Sequence, residues 1–141
     1  MKLHLIKYGS DKFDLSKFNP VKSQPGAIKP DGGLWASPVN SEYGWKEWCE
    51  ENEFHLDDLK ESFTFWYESD NILVIDSKKD LSKIKWLEFY RRFIPDFLAM
   101  DYDAIYLTRK GEAATRLLMD ENLYGWDCES VFIMNPEGII I

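Results

Sequence analysis

Phe63-Thr64-Phe65-Trp66-Tyr67 and Ile72-Leu73-Val74-Ile75, separated by Glu68-Ser69-Asp70-Asn71, are the stretch from which the fold is read. Both runs are dense in aromatic and β-branched residues, which favour a pleated strand, and the polar residues between them suit a tight turn. The pattern predicts an antiparallel hairpin. Ser77-Lys78-Lys79-Asp80 then reads as a capping box, and Leu81, Ile84 and Leu87, joined by Phe89 and Tyr90, predict an amphipathic helix that Pro95 interrupts.

Working outward toward the N-terminus, residues 3–8 form a strand with His4, Ile6 and Tyr8 on one face, ended by Gly9-Ser10. Residues 19–33 are rich in Pro, Gly, Lys and Ser and predict a long loop. Leu34-Trp35-Ala36 is a second short strand, entered through Gly32-Gly33 and closed by Ser37-Pro38. Asn40 or Ser41 is placed as the N-cap of a helix carrying Trp45, Trp48 and Cys49. Toward the C-terminus, Ile94, Phe97 and Leu98 give a helical turn, and residues 104–107 a buried strand. A short helix follows from about Gly111 to Met119, then a strand over 130–134 and a last extended piece over 139–141. The class is α+β, with at least five short strands in mixed or antiparallel pairing and two or three helices, and residues 1–141 are read as one domain.

The composition supports that reading. Hydrophobic residues make up 45% and aromatics 16% of 141 positions, enough apolar material for a core, so a soluble globular domain is expected. Lys and Arg total 17 against 25 Asp and Glu, and the net charge of −8 opposes any broad attraction to nucleic acid or anionic lipid. The opening MKLHLIKYGS has neither a long apolar segment nor a small-residue cleavage site, so no membrane partner is expected. Cys49 and Cys128 lie far apart and the only histidines are His4 and His55, which indicates no disulfide framework and no metal site; the expected compartment is the cytoplasm.

Four small constellations can carry chemistry. In Tyr8-Gly9-Ser10, a glycine directly after a strand lets backbone approach a planar ligand while Tyr8 and Ser10 supply hydroxyls; otherwise the three simply end the strand. In Gly32-Gly33-Leu34-Trp35-Ala36-Ser37 a second strand ends in an aromatic and a hydroxyl, either as the opposite wall of a cleft or with Trp35 in the core and Ser37 in a turn. Tyr43, Trp45 and Trp48 behind it are core aromatics or a platform for a cationic heteroaromatic ring. Asp127-Cys128-Glu129 puts two carboxylates on one face if they lie on a strand, either as a solvated rim or with Glu129 projecting into the mouth of the cleft. Lys78-Lys79 and Arg91-Arg92 are a basic patch or merely exposed helix sides.

Taken in order, Tyr8-Gly9-Ser10, Gly33-Leu34-Trp35-Ala36-Ser37 with Tyr43 and Trp45, and Glu129-Ser130-Val131-Phe132-Ile133-Met134-Asn135-Pro136 resemble the ADP-ribosyltransferase superfamily. YGSDKFDLSKF, NILVIDSKKDLSKI, DYDAIYLT and YGWDCESVFIMNP look similar to its small phage- and plasmid-type members, so the resemblance spans nearly the whole chain.

The resemblance implies an ADP-ribosyltransferase-like fold with a split cleft. It further implies NAD as a substrate, and a protein or nucleic-acid acceptor. By that resemblance Glu129 is the catalytic glutamate that stabilises the oxocarbenium-like transition state, with Asp127 orienting or deprotonating the acceptor. Tyr8, Gly9, Ser10, Trp35, Ser37 and either Tyr43 or Trp45 are then the NAD-binding residues, Gly9 through its backbone. Tyr8, a neutral phenol, stands where the family carries His or Arg. The alternative is an inactive module of the same fold that binds or inhibits a protein partner.

Overall fold

Strand β3 (Ser62–Glu68) does not fold back onto the run that follows it. It pairs along its whole length with β1 (Lys2–Tyr8), from Lys2 opposite Glu68 to Tyr8 opposite Ser62. Phe65 and Tyr67 point into the core and Trp66 points out, where its ring stacks on His4 of the neighbouring strand at 4.2 Å. The next strand, β4 (Ile72–Ile75), pairs parallel with β7 (Ala104–Leu107). The expected hairpin is therefore absent, and the polar residues between the runs explain why. Ser69 donates to Asp103 at 2.6 Å and Asn71 donates its amide to the Asp101 carbonyl at 2.7 Å, so the would-be turn is tied to the segment leading into β7. An uninterrupted apolar run such as Ile72-Leu73-Val74-Ile75 suits a parallel strand, whose two faces are both covered.

The structure is a computed structural model that describes residues 1–22 and 29–141. It is mixed α+β, with a seven-stranded sheet in the order β4-β7-β8-β2-β1-β3-β9, where β2 is Leu34–Pro38, β8 Ser130–Ile133 and β9 Ile139–Ile140. The two α-helices described are α1 (Trp45–Asn52) and α2 (Arg109–Thr115). Central strand β8 is buried throughout and feeds both faces of the core. Phe132 joins Ile105, Leu107, Phe97 and Trp126 on one side, while Val131 and Ile133 meet Leu5, Phe65 and Tyr67 on the other. Each such large side chain withdrawn from water contributes about 2 kcal/mol.

The amphipathic helix expected after Ser77 is a short 3-10 turn, Lys78–Lys83, followed by a separate hairpin of β5 (Trp86–Phe89) and β6 (Arg92–Pro95). Leu81 and Ile84, three residues apart, are both buried, a spacing that a 3-10 turn serves as well as an α-helix. Beyond them, aromatic and β-branched residues prevail and the chain extends. Arg91, Arg92, Lys78 and Lys79 are all exposed. Elsewhere α1 begins later than expected, with Gly44 and not Asn40 or Ser41 as its N-cap, and α2 stops at Thr115, leaving Leu117 and Met119 in solvent. Residues 23–28 of the expected loop over 19–33 lie outside the described residues; its ends are joined by Lys22 to Asp31 and Gly33 to Asn19.

The carboxylate of Asp80 accepts the backbone N–H groups of Asp76 at 2.9 Å and Ser77 at 3.0 Å. The Asp76 bond, aided by Ser77 and Lys83 and only partly opposed by burial, holds this carboxyl below its ordinary 3.8. Because the folded value is depressed, the stabilisation is complete above about pH 5, declines as pH falls past the unfolded value, and is lost through the folded value. Asp80→Asn should cost about 1 kcal/mol at pH 7 and flatten the acid limb, read as urea midpoints between neutral pH and pH 2. Parallel pH profiles for the variant and the parent chain would exclude this role.

Candidate functional site

Strands β1, β2 and β8 are neighbours in the sheet although 90 residues and more separate the first two from the third. Ile6 lies opposite Ser37, and Trp35 opposite Phe132. On the face shared by Ile6, Tyr8, Trp35, Ser37 and Ser130 the sheet floors a cavity of about 490 Å³. Helix α1 supplies its wall. Trp45 and Trp48, three residues apart, project together, stack at 5.2 Å, and are met edge-on by Phe54. The helix is held over the cavity by Ser37, whose Oγ accepts the Trp45 N–H at 2.9 Å. Glu47 reaches back to the Gly44 N–H at 3.1 Å.

The remaining wall comes from the turn before β8. Trp126 is wholly buried, edge-on to Trp35 at 4.8 Å, and anchors that turn to the core. Asp127 follows with a left-handed backbone, φ 70°, and its carboxylate faces the cavity. There Lys29 donates to Asp127 Oδ2 at 3.2 Å, and the same ammonium lies 5.3 Å from the Trp35 ring and 5.0 Å from the Trp45 ring. Lys7 and Asp58 complete the charged lining. Burial, followed by the charge of Lys29, lowers the pKa of the Lys7 ammonium, while Asp58 works the other way. The Tyr8 phenol is raised by burial and then by Glu47 and Glu50, so it stays a neutral hydrogen-bonding group.

Asp127 and Glu129 do not share a face. Ser130 lines the cavity, and strand alternation sends the preceding side chain to the opposite side of the sheet. Glu129 is accordingly buried beside Tyr106, which donates to Oε2 at 2.6 Å, while Ser41 donates to Oε1 at 2.5 Å. Its backbone N–H is held by the Tyr43 carbonyl at 3.1 Å. The Tyr106 phenol is pushed up by burial and then by this hydrogen bond. The projection of Glu129 into the cleft mouth expected from sequence is thus not found; the structure turns the side chain to the other face.

Of the other expected residues, Tyr8, Trp35, Ser37, Trp45 and Asp127 are brought together around the cavity. Tyr43 is not among them. Arg109 lies over its ring at 4.7 Å, and burial together with Glu51 pushes its phenol up to about 12. Gly9, with φ 96°, ends β1 as expected, but its N–H is engaged by the Glu61 carbonyl at 3.0 Å. Ser10 borders a second, smaller cavity of about 290 Å³ and donates to the Lys12 carbonyl at 2.9 Å. Sequence reasoning missed Lys29, Phe54 and Asp58, which lie in irregular or short segments where no periodicity marks a facing side chain. Burial raises both cysteine thiols to about 11, so neither is a ready thiolate nucleophile. Among the described residues no group of His, Cys, Asp and Glu could hold a metal ion, and no helix is long and apolar enough to cross a membrane.

No family model, no curated protein and no solved structure matches this chain.

Proposed function

We propose that the chain binds NAD with its nicotinamide end in the aromatic cavity and transfers ADP-ribose from it to a macromolecular acceptor. The observation that carries this reading is the adjacency of β8, β2 and β1, which gathers Tyr8, Trp35, Ser37 and Asp127 around one space of about 490 Å³. That volume suits a small-molecule ligand, and its lining of indole rings with a few convergent polar groups suits a flat, charged heteroaromatic. Tyr8, Lys7 and Ser37 supply hydrogen-bonding groups at its edge.

In this reading the bond between nicotinamide and its ribose breaks, and the bonding pair neutralises the ring nitrogen as nicotinamide leaves. The acceptor nucleophile bonds to the anomeric carbon, and its proton passes to Asp127. Glu129 stabilises the oxocarbenium-like sugar, as carboxylates do in glycoside cleavage. To reach that sugar, Glu129 has to give up the Ser41 and Tyr106 hydroxyls and swing from the far face of the sheet toward the cavity when NAD binds. Incubation with NAD labelled in its adenosine half and a cell lysate tests the reading. Label should enter macromolecules, and its release by protease or nuclease names the acceptor class; no incorporation refutes transfer.

A second reading is favoured by one observation, the direction of Glu129 away from the cavity. Were that orientation kept with ligand bound, the chain would be a binding module on the same fold, taking up NAD without releasing nicotinamide.

A further inference from the structure

We propose that Trp35, Trp45 and Asp127 form a cation-binding box, and that Lys29 is its internal occupant, holding the place that the positive ring of a bound ligand takes. The ammonium is within cation–π range of both indoles, at 5.3 and 5.0 Å, and pairs with the Asp127 carboxylate at 3.2 Å. Three separate groups therefore converge on a single positive charge. Two of them come from elements fixed by the core: Trp35 packs on Trp126 and Phe132, and Asp127 follows the buried Trp126. The third, Trp45, is held by its stack on Trp48 and by Ser37. Lys29, in contrast, sits on a flexible four-carbon stem whose side chain is 33% exposed, so it can leave while the box stays.

A permanently charged planar ring, such as an N-alkylated pyridinium, fits this box better than a neutral ring of equal size, because indole faces and a carboxylate both reward positive charge. The inference rests on the reading of this cavity as the nicotinamide site and narrows it. Selection falls on the oxidised, cationic ring, and Lys29 lowers the apparent affinity by competing for the same place. Removal of the ammonium leaves Asp127 without its partner, which adds to the attraction for an incoming cation.

Titration of the full chain, followed by tryptophan fluorescence, tests this with 1-methylnicotinamide against neutral nicotinamide, and with NAD against its reduced form. The charged member of each pair should bind about tenfold more tightly. Lys29→Met should tighten NAD and 1-methylnicotinamide by roughly three- to tenfold, with no gain for neutral nicotinamide. Equal binding of charged and neutral rings overturns the box. Unchanged or weaker cation binding by Lys29→Met overturns the internal occupant and leaves Lys29 a structural tie. If NAD binds without charge preference, the cation box fails while the NAD reading stands. If 1-methylnicotinamide binds and NAD does not, the box stands and the NAD reading fails.

Discussion

Gly111→Ala should destabilise the chain by about 3 kcal/mol, the upper end of the usual cost of forcing extra atoms into a filled interior. Gly111 lies in the first turn of α2, where a Cβ would come within 1.9 Å of the Ile75 carbonyl oxygen and 2.7 Å of its carbon. Those atoms belong to β4 and cannot step aside without dragging the strand, since the Thr108 N–H is bonded to the same carbonyl at 3.1 Å. The sign is what makes the test sharp. At an exposed helical site glycine to alanine stabilises by about 1 kcal/mol, so the close seat of α2 on β4 must reverse the ordinary outcome. Ala114→Gly, at an exposed position of the same helix, should cost only about 1 kcal/mol. Urea denaturation of both variants gives the comparison, and a Gly111→Ala protein as stable as its parent would mean that α2 is not seated this way.

Glu129→Gln should lower the rate of ADP-ribose transfer by about two to three orders of magnitude and change NAD affinity by less than about threefold. The amide keeps the size of the carboxylate, but it cannot offset positive charge growing on the ribose. It also meets two hydroxyl donors, Ser41 and Tyr106, with only one oxygen able to accept. A loss confined to kcat assigns Glu129 to the transition state. A rise in KM with kcat intact would assign it to binding, and an unaltered rate would remove it from the reaction.

The local character of the strands was legible in the sequence, whereas their partners were not. Residues 3–8, 34–36, 104–107 and 130–134 announce themselves as short, largely apolar runs with polar or turn-forming residues at their ends, and the structure has strands at each. Which run pairs with which depends on contacts distant along the chain. The turn-like Glu68-Ser69-Asp70-Asn71 shows how a local signal misleads when its side chains bond to Asp101 and Asp103 instead. Leu81 and Ile84 carry a spacing of three that cannot tell an α-helix from a 3-10 turn.

At the site, Tyr8, Trp35, Ser37 and Trp45 were legible because each follows from strand alternation or helical spacing. The separation of Asp127 from Glu129 was not, because the positive φ of Asp127, just after the buried anchor Trp126, breaks the alternation that would have put both carboxylates on one face. Lys29 escaped for a plainer reason: nothing in a Pro- and Gly-rich loop indicates which lysine will meet two indoles and a carboxylate.

The most direct measurement is the release of free nicotinamide from NAD by the purified chain, followed with and without lysate as a source of acceptor. ADP-ribose transfer predicts one nicotinamide freed for each labelled ADP-ribose that appears on an acceptor or on water, from the parent chain but not from Glu129→Gln. NAD that binds and is recovered intact, under conditions where acceptor is present, would contradict it and leave the cavity as a binding site alone.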